Sequence, residues 1–514
     1  MEDYIFKTMG GCFSFLVLYG VIKLVHEMWW KPKRMEKMLR QQGIRGSSYR
    51  VINGDISVMN KCDRVAASKA IALNHQIVPR VFPFYHNMMQ QYGEVSLSWF
   101  GRLPRLIIGD NELVRSILLN KKGHIRKPPR SPLVKLLGIG LTSLEGEIWT
   151  QRRKAITPAF LHDKLKALVP STFAHSCSAM IDRWQKLVEH KGSCEIDASS
   201  EFDVLTGDVI ARAAFGSSYQ EGKKIFDLQH EIRFLVNEAA NAIYIPGFRF
   251  IPTQKNKRRY NLDVEIKSIL MDMIEKKGHG IKDGKIEGRD LLSLLLEFKQ
   301  HNNSLTNEDI IEECKLFYFA GHVTTSNLLA WTMVCLSMDP FWQEKARDEV
   351  LHLFGKRAQL DFEDINRLKI VAMILKEVLR LYPPLPVLYR YTECETKIGN
   401  MTIPAGVELV LQVLHIHHDN KYWEKAEEFN PARFADGISN ASNEDHAAFY
   451  PFGWGPRICV GQNFAYLQAK MALSKILQNF SFHLSPSYSH APSNYLTLKP
   501  IHGAPVIIHR ISDS

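Results

Sequence analysis

Thr306-Asn-Glu-Asp309 sets a hydroxyl at a helix start with an acid three positions on, a pairing that satisfies the first free backbone N–H groups. The helix that follows can run to Asp339, where Pro340 stops it. At about 1.5 Å per residue it is roughly 50 Å long, enough to traverse a domain. Its middle, Leu316–Leu336, is apolar on nearly every side. Such a helix belongs in the centre of a large protein core or across a bilayer. Glu312, Glu313, Lys315, His322 and the Thr324-Thr325 pair favour the protein interior. The chain is long enough for that, since 514 residues exceed what one ordinary core supports, although single enzyme domains reach this size. Hydrophobic residues at 45% and charged residues at 23% fit a globular body.

From about residue 40 the chain reads as mainly α with a minor β part. Helical periods occupy Pro170–Lys186, Tyr260–Lys276, Trp342–Phe354, Val371–Leu381 and Gln462–Phe480. Pro170 suits a first turn, where a missing N–H costs nothing. Alternation over Glu94–Phe100 and Leu106–Ile108 predicts a small sheet, with more strand in Asn400–Leu411. Residues 276–289, KKGHGIKDGKIEGR, read as a polar, glycine-rich loop.

A second apolar stretch, Ile5–Trp30, is interrupted only by Lys7, Lys23 and His26-Glu27. The clean run Thr8–Ile22 is short for a span, but a snorkelling Lys23 and Trp29-Trp30 at the headgroup boundary lengthen it. Glu2 and Asp3 precede it, and Lys31, Lys33, Arg34, Lys37 and Arg40 follow, a bias that places what comes after residue 31 in the cytosol. The acidic start and the lack of a small-residue cleavage site argue against a cleaved signal peptide. Residues 1–30 are thus expected to anchor the chain in the endoplasmic reticulum membrane, residues 31–60 to form a basic linker, and residues 61–514 the main domain. The net charge of +11 suits an acidic partner or an anionic membrane surface. No basic helix, finger or stacking-aromatic motif supports nucleic acid. Eight cysteines without any CxxC suggest neither zinc nor a disulfide framework, and fit reduced thiols facing the cytosol.

One cysteine stands apart. Phe452-Gly-Trp-Gly455-Pro-Arg457-Ile-Cys459-Val-Gly461 presents Cys459 on a glycine-hinged loop just ahead of the helix at Gln462. The free N–H groups of the helix start, and Arg457 two residues away, favour a thiolate there. The glycines let the backbone turn sharply and approach a flat ligand. A haem iron takes such a thiolate as its axial donor; an inert buried cysteine is the plain alternative.

Ala320-Gly321-His322-Val323-Thr324-Thr325 interrupts the long helix. Gly321 costs up to about 1 kcal/mol of helix propensity, a motive for close approach by another group. A threonine hydroxyl bonding one turn back opens a water-sized notch; a small-residue packing contact between helices is the simpler account. Trp149 and Arg153, at i and i+4, share a helix face, from which an arginine can grip a haem propionate while Trp149 donates its N–H; read alone, the pair fits a surface helix better. Glu377 and Arg380 form an i, i+3 pair that is normally a solvated salt bridge. His415-Ile-His417-His418-Asp419 looks metal-like, but no further Cys or His spacing completes a site, and a structural role is favoured.

Together these residues resemble the cytochrome P450 family. F-x-x-G-x-R-x-C-x-G is matched from Phe452 to Gly461, W-x-x-x-R by Trp149 and Arg153, and A/G-G-x-D/E-T-T by 320–325 except at Val323. E-x-x-R is matched by Glu377 and Arg380, and P-x-R-F by Pro431–Phe434. The run PFGWGPRICVGQNFA, with Trp30-Lys-Pro-Lys33 and Leu39-Arg-Gln-Gln-Gly43, is similar to the plant microsomal clan that contains secologanin synthase, brassinosteroid-inactivating hydroxylases and triterpenoid oxidases. The resemblance implies a P450 fold behind an N-terminal transmembrane helix, with a haem-thiolate domain over residues 61–514 that holds haem b. It implies Cys459 as the iron ligand in a loop opened by Phe452, with Arg457, Trp149, Arg153 and Arg390 toward the propionates. Ala320 and Gly321 would lie against the oxygen site, Thr324 and Thr325 would be catalytic, and Glu377, Arg380 and Arg433 would form a buried lock. The implied activity is monooxygenation of a small lipophilic, isoprenoid-derived substrate (a triterpenoid, steroid or hormone) with O2. Electrons would come from NADPH through NADPH–cytochrome P450 reductase, with Arg152 and Lys154 helping to form a basic patch for that partner.

Val323 stands where the family usually has an acid, and valine carries no proton. Water chains, Thr324, Thr325 or His322 remain as substitutes. This departure keeps a haem-thiolate isomerase or lyase in view, alongside a non-catalytic haem-binding protein. Residues 386–388, 131–144 and 239–252 match places where the family lines its pocket or entrance. Ile243–Ile251, followed by Lys255, Lys257, Arg258 and Arg259, either dips into the membrane or packs on the body.

Overall fold

A computed structural model describes residues 2–120, 123–242, 247–283, 290–301, 305–357, 359–443 and 448–511. The chain divides into two compact units, Met1–Ala66 with Pro83–Pro128 and Tyr389–Gln412, and Ala67–Phe82 with Pro129–Leu388 and Val413–Ser514.

In the first unit, helix α1 (Glu2–Val25) runs through a wide turn at His26–Trp30 directly into α2 (Lys31–Gln41). This is the one helix among the described residues long and apolar enough to cross a membrane, and Phe13, Phe15, Leu16 and Trp30 are exposed along it. The segment read as a basic linker is ordered: α2 buries Pro32, Met35 and Leu39, and β1 (Arg45–Gly46) pairs with β2 (Val95–Phe100). The sheet continues through β3 (Leu103–Ile108), β4 (Ile125–Arg126), β5 (Leu388–Thr392) and β6 (Glu408–Leu411), in the order β1-β2-β3-β6-β5-β4. Leu97 faces Leu106 across the β2–β3 hairpin, and Arg105 pairs with Glu408 across the parallel β3–β6 ladder.

The second unit is built of α3 (Gly146–Ile156), α4 (Ala174–Val188), α5 (Ala198–Ile210), α6 (Tyr219–Ala240), α7 (Gln254–Lys282), α8 (Asn307–Met338), α9 (Pro340–Phe354), α10 (Ile370–Leu381) and α11 (Gln462–Asn479). Its axis is α8, whose limits and capping box at Thr306 and Asp309 follow the sequence pattern. Two expectations change. Pro170 lies in a wide turn, Val169–Phe173, inside a helical run that begins at His162, because a widened turn accommodates the missing N–H. Residues 276–282 prolong α7 rather than opening a loop, while 284–289 lie outside the described residues. A hairpin of β7 (Pro492–Tyr495) and β8 (Thr497–Pro500) turns at Leu496, which has φ 62. Asn327 Nδ2 donates to Thr497 Oγ1 at 3.0 Å and Trp331 Nε1 to the Leu498 carbonyl at 3.2 Å, so α8 carries the hairpin.

Two contacts set how α8 and α10 are held. A Cβ placed on Gly321 would lie 2.5 Å from Ile210 Cδ1 and 2.8 Å from its Cγ1, so this glycine lets α5 close on α8. On α10, Glu377 and Arg380 have no solvent exposure and pair through two bonds of 2.8 Å. Arg380 also donates to the carbonyls of His417, Ala426 and Glu428, and Glu377 accepts from Asn430 N and Arg433 Nε. The sequence pair is therefore a buried hub and not a solvated surface bridge. Next to it, His417 Nε2 accepts from Tyr450 N at 2.9 Å, so its Nδ1–H must donate to the Arg380 carbonyl, 3.0 Å away. Only neutral imidazole does both. Burial first, then Arg380 and His418, push its pKa well below the ordinary value.

Gly321→Ala is expected to destabilise by about 1 kcal/mol or more, overpacking outweighing the gain in helix propensity. Adding Ile210→Val should restore part of it; thermal unfolding of an unaffected Gly321→Ala protein would remove the packing account. For His417, the unfolded state binds a proton that the folded state refuses, so its contribution is complete above about pH 6.5 and declines as pH falls below it. Relative to His417→Gln, the wild-type protein should lose its stability advantage between pH 7.5 and 5.5 in chemical denaturation; a widening gap contradicts the assignment.

Candidate active site

The loop from Phe452 to Gly461 is shaped by its backbone. Gly453 and Gly455 adopt φ 73 and 72, where a side chain is strained, whereas Gly461 has an ordinary φ of −92. Cys459 N donates to the Phe452 carbonyl at 3.0 Å and Gly453 N to the Tyr450 carbonyl at 3.0 Å, closing the loop on the strand of chain that His417 holds. Cys459 keeps accessible surface three residues ahead of α11. Burial among protein atoms pushes its thiol above the usual value, opposed by the Gly461 N–H and by Arg153. The sequence pointed to Arg457 as the cation acting on this sulfur. Instead Arg457 pairs with Glu145, donates to the Leu144 carbonyl at 2.8 Å, and lies 4.4 Å from the Trp149 ring centroid. Arg153 takes its place, with Nη1 donating to the Ile458 carbonyl at 2.9 Å.

Trp149, Arg153, Arg457, Phe452 and Cys459 are thus gathered at one locus by α3 and the loop. Arg390 belongs to the first unit, buried on β5 with Nη1 donating to the Tyr389 carbonyl. Arg152 is no part of a surface patch: it is buried, pairing with Glu313 and Asp309 at 3.0 Å each, while Lys154 is exposed.

Between Ile310 and Leu336 on α8 only Phe319, Ala320, Gly321 and Thr324 escape full burial. Thr324 Oγ1 donates to the Ala320 carbonyl at 2.7 Å, the back-bond that distorts a helix locally. Thr325 and Val323 are buried, so the two threonines do not share an environment. His322 turns to α5, its Nε2 3.4 Å from Asp203 Oδ1 and its ring edge-on to Phe226. Ser326 Oγ donates to the same Asp203 oxygen at 2.5 Å. Burial raises the Asp203 carboxyl, but His322, Ser326 and Arg233 hold it below its usual value. Asp203 was not legible in the sequence; nor was Arg233, although Ser218-x-x-Glu221 is a capping box that announces α6. The His417-His418 run is structural: His418 bonds Glu427 and the Leu381 carbonyl, and no three side chains suited to a metal converge among the described residues.

The donor set fits a haem: the exposed Cys459 thiol, a glycine-formed hinge without Cβ atoms, and guanidinium and indole groups beside it. Comparison with known proteins points the same way. A family model described as Cytochrome P450 matches residues 72–503. Relatives include Cytochrome P450 CYP72A616 of Paris polyphylla, 50% identical over 94% of this chain and 95% of its own. Secologanin synthase 1 of Catharanthus roseus is 43% identical over 99% of both, and 11-oxo-beta-amyrin 30-oxidase of Glycyrrhiza uralensis is 45% identical over 96% of this chain and 95% of its own. The family model covers most of this chain and the relatives nearly all of it, and the chain, with its cysteine loop, back-bonded threonine and buried Glu–Arg hub, belongs to the cytochrome P450 family.

Proposed function

We propose that this P450 inserts one atom of O2 into a lipophilic, isoprenoid-derived substrate, with electrons from NADPH delivered by NADPH–cytochrome P450 reductase. Members of the family are oxidoreductases that bind haem b. The carrying observation is Thr324, half-buried together with Phe319, Ala320 and Gly321 on the central helix, with its hydroxyl tied to the Ala320 carbonyl. A haem-binding carrier has no use for that hydroxyl. The names of the triterpenoid oxidase and secologanin synthase relatives support an isoprenoid substrate. The exposed apolar helix at the N-terminus supports a membrane anchor, and the basic residues after it support an endoplasmic reticulum location with the body on the cytosolic side.

Haem, when bound, supplies the oxygen chemistry. Cys459 would hold the haem through its thiolate, with Arg153, Arg457 and Trp149 beside it to hold its acidic groups, a role that the resemblance also gives to Arg390. The Thr324 hydroxyl holds a proton at Oγ1 beside Ala320 and Gly321. Thr325, one residue on, is buried in the protein interior. The buried hub of Glu377, Arg380 and Arg433 keeps the cysteine loop in register.

Incubating the membrane-bound protein with reductase, NADPH and a plant isoprenoid extract should yield a product one oxygen heavier; turnover without reductase would favour an isomerase or lyase. Thr324→Ala should retain haem but divert NADPH to peroxide, lowering product per NADPH by about tenfold or more. Unchanged coupling would remove the catalytic role. Cys459→Ser should lose the carbon monoxide difference band of thiolate-ligated haem.

A further inference from the structure

We propose that Arg233 and Lys499 form an anion-recognising site beside the half-buried stretch of α8 and receive a carboxylate carried by the substrate. The inference rests on the monooxygenase reading and narrows its isoprenoid substrate to an acid. Arg233 lies on α6, its Nε donating to the Gln229 carbonyl at 3.2 Å and its guanidinium carbon 5.7 Å from the centroid of the Phe319 ring. Phe319 adjoins Ala320 in the half-buried segment of α8, so Arg233 stands over the stretch that leads to Thr324. Lys499 comes from the hairpin that Asn327 and Trp331 fix to α8, with Nζ 5.2 Å from the Tyr495 ring centroid. Tyr495 in turn meets Phe234 of α6 at 6.1 Å. Three elements therefore bring two cations and three aromatic rings to one place.

The charges there do not balance. Among the described residues neither Arg233 nor Lys499 has a carboxylate within 4.0 Å. The acid that reaches both electrostatically is Asp203, and its Oδ1 already serves His322 and Ser326. Burial lowers the pKa of both cations, and Arg233 lowers that of Lys499 further. Burial and the same two cations push the His230 imidazole below its ordinary value, against Asp203 and Asp227. Two cations face one carboxylate, which leaves room for one more negative charge. Desolvated like charges cost free energy unless an anion joins them. A guanidinium fork suits the planar, bidentate carboxylate, and the rings flank an apolar skeleton. Phe319 and Thr324 are five residues apart, roughly 7.5 Å along the axis, so the oxidised carbon would lie several bonds from the acid group.

The test titrates haem-loaded protein with a pentacyclic triterpenoid carboxylic acid, its methyl ester and its primary alcohol, and with dodecanoic acid and dodecanol, following the substrate-induced spectral shift. The acid is expected to bind about tenfold more tightly than its ester or alcohol, as one charge-assisted bond gives. Arg233→Gln with Lys499→Gln should erase that preference while leaving alcohol affinity within about twofold. The single variants, titrated separately, carry the test should the double variant fail to take up haem; each should narrow the preference. No acid preference in either series, or one that survives both substitutions, overturns the proposal. An acid preference confined to the dodecyl pair, with no triterpenoid binding, keeps the anion site and overturns the isoprenoid reading.

Discussion

A bidentate ion pair without solvent exposure is stable only when every remaining donor and acceptor is met, and Glu377–Arg380 is the place where this fold meets that condition. Three carbonyls from residues 417–428, one backbone N–H and a second guanidinium complete it. Removing either partner would strand a buried charge at a cost of about 3–5 kcal/mol. The hub therefore dictates the path of the chain from His417 to Arg433, and His417 transmits it to Tyr450 and so to the hinge that presents Cys459. A reactive sulfur is aimed by an ion pair that never touches it.

The cations around that sulfur divide their work in a way fixed by their acidic partners. Arg457 is consumed by Glu145 and the Trp149 face, and Arg152 by Glu313 and Asp309. Arg153 is left to act on Cys459 through space and on the loop through the Ile458 carbonyl. Burial disfavours the thiolate more than these groups favour it in the protein alone; a bound metal cation would reverse that balance.

Features written in local chemistry were legible. The ends of α8 follow from a capping box and a proline, α11 from its apolar period, and the hinge from glycines that occupy positive φ. The Glu–Arg pair was legible as a motif, but its burial depends on carbonyls some forty residues on. What the sequence withheld is long-range. Nothing near Arg152 or Arg457 says which acid each will find. Asp203 lies in a helix that carries no motif, and its meaning comes only from His322 and Ser326, more than a hundred residues away. Gly321 has two motives in the sequence, an oxygen site and helix packing; Ile210 at 2.5 Å from its would-be Cβ gives the packing motive a definite partner.

The residue that departs from the family pattern ties these threads together. His322 is two residues from Thr324, about 200° around the helix, and its Nε2 faces Asp203 on α5 at 3.4 Å. It is therefore badly placed to stand in for an acid at the threonine, and the buried Thr325 is no better. The effect of Val323 is clearer on the other flank. Position 323 is one turn beyond Phe319, on the same side of α8, and Phe319 is the ring over which Arg233 sits. An acid there would bring a negative charge toward Arg233 and share it. Valine adds no such charge, so beyond the Gln229 carbonyl and the shared field of Asp203 the guanidinium keeps capacity for an acidic substrate.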